Sequence, residues 1–425
     1  MEYITRFSAA ILGSSNISEE EYQNNIKKDT NIPYPKTIQD EKSLESKIKD
    51  KQDSYERMSI IEKYRELASK DPLLDNVLGC LFAGFLGDSW GLSSEFLTKE
   101  ECLKLYPDGK IPFPKFERNN HNSRWNEGDW TDDSDHEFLV MQTISEVEEF
   151  ENYSKTFAKK LKNWISFGFK ELNDNFGMGI GETTSKICSS EKFLEDPSSI
   201  SKEIWENSGK SVAPNGSLMR TSCLGLFEYR EMSKVIKNTL EFCKITHYDP
   251  RCLASCLFHT MIISEILTNG RFKTKKQIDL LIKAIWAKIK VELSDYENFQ
   301  DYISEIEKHI IIDGTEKYLE GLKLDEKNKI GYVLKALGAS IWGLYATTED
   351  YGKTYEEAIQ MIIICGGDAD TNCKISGGLI GANLGFLKIS DDKLKCLLHL
   401  SFAEKNIDTF LKKATFIKEK FVYNK

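Results

Sequence analysis

A chain of 425 residues with 40% hydrophobic and 11% aromatic side chains can bury a sizeable core, as one large domain or two average ones. Its formal net charge of −10 argues against a surface generally adapted to phosphate backbones, so nucleic acid is not expected as a general partner, although a local basic pocket could hold a phosphorylated small molecule. Its ten cysteines sit almost entirely among apolar residues, as at Cys80, Cys223, Cys252 and Cys256, and read as small buried hydrophobes in a reducing compartment rather than as disulfides or zinc ligands.

The first stretch, Met1 to about Tyr55, is dominated by Glu, Lys, Asn, Ser, Asp and Gln and offers little apolar surface. Residues 1–71 are read as a polar extension, partly helical or disordered. Leu44, Ile48, Met58, Ile61, Tyr64 and Leu67 allow one charged helix, docked on the main domain or free. Glu2 and Arg6 flank a short mixed run without the long apolar segment of a secretory signal, so a cytoplasmic location is expected. The main domain is expected from Pro72 to the end. Its longest apolar run, Val77 to Gly87, is too short to span a bilayer and reads as a core helix, so no membrane partner is expected. Helical spacing then recurs at Leu253, Leu257 and Met261, at Ile278, Leu281 and Ile285, at Leu334, Leu337 and Ile341, and at Ile359, Ile362 and Ile363. Strand-like alternation is sustained nowhere, so the expected fold is all-α. The charge-rich region Lys288 to Lys329 reads as a helical pair on the surface or a mobile insertion.

Two acidic runs stand out, each opening onto an apolar helical pattern. Trp130-Thr131-Asp132-Asp133 precedes Phe138, Leu139 and Met141; Gly366-Gly367-Asp368-Ala369-Asp370-Thr371 precedes Ile375, Leu379 and Ile380. Asp368, Asp370 and Thr371 can converge on one point, and an all-oxygen set suits Mg2+, Mn2+ or Ca2+ better than a soft metal. Each run also reads as a helix start: a threonine cap with aspartates in the first turn, and a glycine turn entering a helix.

Five stretches in one order, Gly84-Phe85-Leu86-Gly87-Asp88-Ser89-Trp90-Gly91 with Glu95-Phe96, then Trp130 to Asp133, Asn215-Gly216-Ser217-Leu218-Met219-Arg220, Thr246-His247 and Gly366 to Thr371, resemble the ADP-ribosylglycohydrolase family from about Leu74 to Lys388. The resemblance implies a single all-α domain that holds two Mg2+ (or Mn2+) in a cleft and hydrolyses the bond between ADP-ribose and a protein side chain or related acceptor. It implies Thr131, Asp132, Asp133, Asp368, Asp370 and Thr371 as metal ligands, with Asp132 and Asp133 counted among the catalytic residues. Glu95 is implied as the acid/base. Asn215, Gly216, Ser217, Met219 and His247 are implied as contacts to the ADP-ribose moiety, with Ser217 and the following amides cradling the diphosphate. Gly177-Met178-Gly179-Ile180-Gly181-Glu182-Thr183-Thr184 looks like the family's glycine-rich loop. Asp88 is expected to structure a turn between Gly87 and Gly91. Ser134-Asp135-His136, Pro214 and Ala369 depart from the family's pattern; Asp135 could add a ligand. An alternative of another class is a non-catalytic ADP-ribose-binding or interaction protein, and a third is a hydrolase of a small ADP-ribosyl metabolite.

Overall fold

Asp71 accepts a hydrogen bond from the Leu73 backbone N–H, and Pro72 follows in the first turn, where its missing donor costs nothing. That start launches the central helix of the molecule. The structure, a computed structural model, describes the backbone of residues 38–416 and the side chains of residues 53–416. The helices used below, in chain order, are α1 (Ile38–Lys70), α2 (Pro72–Gly91), α3 (Asp132–Glu146), α4 (Pro250–Asn269), α5 (Val333–Ala346), α6 (Tyr355–Ile364), α7 (Ala369–Leu384) and α8 (Leu400–Lys413). Among the described residues there is no strand, only isolated bridges at Thr98–Gly366 and Pro214–Tyr332, so the fold is all-α.

α2 and α7 make the most extensive helix pair, with α5 also packed on α7. Almost every residue of α2, α4, α5 and α7 is buried. Glycines set the closeness of α2 to α7. A Cβ on Gly87 would lie 2.2 Å from the Cys373 carbonyl oxygen, and one on Gly91 would lie 2.5 Å from Asp370 Cα. The helices therefore meet backbone to backbone, without a side-chain layer between them. α4 has the length and apolarity of a membrane span, but it is a core helix with 83% of its apolar window buried.

The charged helix expected before residue 71, docked or free, is docked in its second half. One compact unit spans Glu56–Phe416, and the part of α1 up to Tyr55 lies outside it. Ile60, Ile61, Tyr64 and Leu67 are buried. Lys63 Nζ reaches Glu404 at 2.7 Å and Asp408 at 2.6 Å on α8, the Tyr64 hydroxyl donates to Asp408 at 2.9 Å, and Arg65 holds Asp391 and the Phe386 carbonyl. The second half of α1 is thus core, while the side chains of Leu44 and Ile48 and everything before residue 38 lie outside the described residues. The charge-rich region contains two helices, Phe299–Ile310 and Glu316–Gly321, which bury Ile306, Ile310 and Leu319.

Candidate metal centre and cleft

The two acidic runs meet. Thr131 caps α3, accepting from the Asp133 N–H, and Asp132 and Asp133 fill its first turn; Asp368 stands at the N-cap position of α7 without a side-chain cap bond, with Asp370 and Thr371 in the first turn. Both helix-start readings hold, and the starts face each other. Carboxylate oxygens of Asp88, Asp133 and Asp370 lie within 4.8 Å of one another, as do those of Glu95, Asp368 and Asp370. Asp88 is not in a turn: it lies in α2, fully buried. Its Oδ1 accepts from the Thr131 N–H at 3.0 Å and its Oδ2 from the Ser134 hydroxyl at 2.6 Å. It braces the start of α3.

Hydrogen-bond donors at this point are too few. The Thr131 hydroxyl lies 2.9 Å from Asp88 Oδ1, 2.9 Å from Asp133 Oδ2 and 3.2 Å from Asp370 Oδ2, yet a hydroxyl carries one proton. Thr371 donates to Asp133 Oδ2 at 3.1 Å. Asp133 Oδ1 and Asp370 Oδ1 are buried without any partner. Buried ionised oxygens without donors are costly. Burial first, then repulsion from neighbouring carboxylates, pushes Asp132, Asp133 and Asp370 well above the usual carboxylate range and Asp368 up to about 6. Such a set, all oxygen with unpaired lone pairs turned inward, fits hard divalent cations. One buried cation lies beneath it: Lys374, four residues after Asp370, pairs at 2.6 Å with Glu137, four residues after Asp133. Lys374 partly offsets the burial that raises Asp88.

The remaining expected residues divide. Asn215 donates its amide to Asp368 Oδ2 at 2.7 Å and so serves the cluster directly. His247 accepts or donates at Nδ1 to the Thr246 hydroxyl at 2.7 Å, while its buried Nε2 has no partner and would lie 3.3 Å from a Cβ on Gly216. Burial and the nearby Arg220 hold this imidazole well below its usual pKa, so it is neutral. Thr246 and His247 line a cavity of about 140 Å³ with Thr183, Trp205, Pro214 and Tyr248. Ser217 is a correction: it is fully buried, and its hydroxyl is occupied by the thiols of Cys243 at 3.3 Å and Cys256 at 3.4 Å, so its side chain is not offered to a diphosphate. Met219 is buried in the same turn. Asp135 adds no ligand, because the indole N–H groups of Trp130 and Trp164 take its two oxygens, each at 2.9 Å. The glycine-rich loop abuts the cluster: a Cβ on Gly179 would lie 2.3 Å from Asp132 Oδ1. Asp88, the Glu137–Lys374 pair and His121, which reaches Glu95, were not assigned to the site from sequence.

A sequence model described as ADP-ribosylglycohydrolase matches residues 69–418. An ADP-ribosylarginine hydrolase, Tri1, of Serratia proteamaculans is 23% identical over 316 residues, covering 74% of this chain and 73% of its own. An uncharacterised protein of Archaeoglobus fulgidus is 22% identical, covering 71% of this chain and 86% of its own. A solved structure described as an ADP-ribosylglycohydrolase-related protein complex superposes with a TM-score of 0.53 at 19% identity, over 80% of this chain and 98% of that one.

Proposed function

The chain belongs to the ADP-ribosylglycohydrolase family, and on that premise we propose that it is a divalent-metal-dependent hydrolase that releases ADP-ribose from ADP-ribosylated protein side chains. The observation that carries the reading is the pair of buried, unpartnered carboxylate oxygens, Asp133 Oδ1 and Asp370 Oδ1, where two separate acidic runs converge. A binding module of the same fold would not need that costly arrangement.

Thr131, Asp132, Asp133, Asp368, Asp370 and Thr371 would hold two Mg2+ or Mn2+. When bound, the ions supply charge neutralisation and orientation of the ribose hydroxyls at a developing oxocarbenium-like centre. Asp88 holds Thr131 and Ser134 so that the start of α3 stays in place. Asn215 fixes the orientation of Asp368. His247 Nε2 and the backbone at Gly216 are the polar groups available to the ADP-ribose, with the cavity beyond them taking one end of it. Glu95 accepts the proton of the attacking water as its oxygen bonds to the anomeric carbon of the distal ribose. The bond from that carbon to the acceptor breaks, and the acceptor leaves with its electron pair and takes up a proton.

The test is ADP-ribose release from arginine-, serine- and otherwise linked substrates and from small ADP-ribosyl metabolites, with Mg2+, after chelation and after add-back. Arginine linkage is the first to try, given the relative named for it. Release that stops on chelation and returns with Mg2+ or Mn2+ supports the reading; full turnover in protein shown to be metal-free by elemental analysis refutes it.

A further inference from the structure

The backbone around Glu95 is tied to the second acidic run. The Phe96 N–H donates to the Gly367 carbonyl at 2.6 Å, the Gly367 N–H donates to Leu97 at 2.8 Å, and the buried Ser94 hydroxyl donates to Ile363 at 2.7 Å. Phe96 takes a left-handed backbone conformation, φ 62°, to make these contacts. They fix where the side chain of Glu95 starts, not where its carboxylate points. The carboxylate is oriented by His121, whose Nε2 meets Glu95 Oε2.

His121 is itself held by several neighbours. Asn119 accepts from the N–H groups of His121 at 2.8 Å and Asn122 at 2.9 Å, and Asn122, fully buried, returns a bond to the Asn119 N–H at 2.9 Å. The His121 ring meets the edge of Phe96 at 4.7 Å and lies 5.3 Å from Trp125. Arg124 lies 2.6 Å from the remaining ring nitrogen, Nδ1, bonds the His121 carbonyl through Nε at 3.1 Å, and stacks on Trp125 at 4.8 Å. A guanidinium only donates, so Nδ1 must accept and the ring proton must sit on Nε2, where it points at Glu95.

We propose that Arg124 and His121 form a positioning relay that occupies Glu95 Oε2 and thereby fixes the carboxylate, which lies within 4.8 Å of oxygens of Asp368 and Asp370, for the attacking water. His121 is a positioning residue and not a catalytic one. The proposal rests on the function argued above, which makes Glu95 the base. It goes further in saying what holds that base and which ring tautomer does so.

Two measurements test it independently. In metal-free protein labelled with [15N]histidine, long-range 1H–15N correlation should show His121 protonated on Nε2. Glu95→Gln should shift that resonance, and Arg124→Met, which frees Nδ1 while the Glu95 carboxylate still takes the Nε2 proton, should shift the Nδ1 resonance. In turnover, His121→Ala should lower kcat by about 10- to 100-fold with KM unchanged, the range seen when a supporting residue behind an active-site group is lost. His121→Gln, whose amide can donate from nearly the Nε2 position, should recover most of the loss. An Nδ1-protonated ring in the parent protein, a resonance indifferent to Glu95→Gln, or a glutamine variant no better than alanine overturns the relay. If no substrate in the panel releases ADP-ribose, the proposed function fails, and the resonance experiments still decide the relay.

Discussion

Replacing Asp370 by asparagine keeps the side-chain shape and removes one charge from the most crowded point of the molecule. If Asp370 were only a first-turn residue of α7, the loss of its interaction with the helix dipole would cost about 0.3 to 1 kcal/mol, whatever the metal concentration. The geometry predicts the opposite sign in metal-free protein. At the 4.8 Å that bounds the oxygens of Asp88, Asp133 and Asp370, two full charges repel by about 3 to 4 kcal/mol at an effective dielectric constant near 20. Proton uptake, which the raised carboxyl pKa of Asp370 allows, relieves part of that. The amide of asparagine can also donate to a neighbour in a cluster short of donors. We expect Asp370→Asn to be more stable than the parent by about 1 to 3 kcal/mol without metal. With Mg2+ at about a hundred times its dissociation constant, the parent should gain about 2.7 kcal/mol and the variant little, so the order reverses. Asp133→Asn should behave alike, and the double variant should turn over scarcely more slowly than either single one, because the residues act as a unit. The assay is thermal unfolding of all four proteins with and without Mg2+, alongside ADP-ribose release. Small, additive, metal-independent destabilisation would mean that the two runs do not share a cation.

Chain shortening gives a second expectation: a protein beginning at Glu56 should keep the unfolding midpoint of the full chain, whereas one beginning at Ser69 loses the burial of Ile60, Ile61, Tyr64 and Leu67 and should unfold several degrees lower or precipitate. Lys374→Met strands Glu137 and should cost about 3 to 5 kcal/mol by denaturant titration, and adding Glu137→Leu should restore most of it; an undiminished loss in the double variant would count against a paired role. The pH dependence follows from Asp368, whose pKa is raised to about 6 when folded. Above its unfolded pKa the unfolded chain has given up a proton that the native state keeps, so stability falls as pH rises from about 4 to 6 and levels off beyond. The parent should therefore lose about 2 to 3 kcal/mol relative to Asp368→Asn across that window without metal, and a flat difference would exclude the shift.

The acidic runs and the helical fold were legible because both are local: hard ligands in short spacing, and an apolar period of three to four. What failed was whatever depends on partners far away in sequence. Asp88 between Gly87 and Gly91 reads as a turn, but those glycines serve the close approach of α7, and the aspartate rides inside a helix. Ser217 reads as a phosphate ligand until Cys243 and Cys256 are seen to occupy it. The second half of α1 looks polar because its apolar residues are few, yet Lys63 and Tyr64 find Asp408 more than three hundred positions away. One signal in the sequence points to the buried pair: Glu137 and Lys374 interrupt apolar helical runs, each four residues beyond an aspartate of the two acidic runs, the spacing of one helical face.

The glycine-lined seam between α2 and α7 makes the centre a rigid gauge. Because Gly91 leaves no room between its own Cα and that of Asp370, a single added methyl there would move an aspartate of the cluster without altering any chemical group in the cleft. Tolerance to mutation along α2 is then graded by distance to the opposing backbone rather than to the substrate.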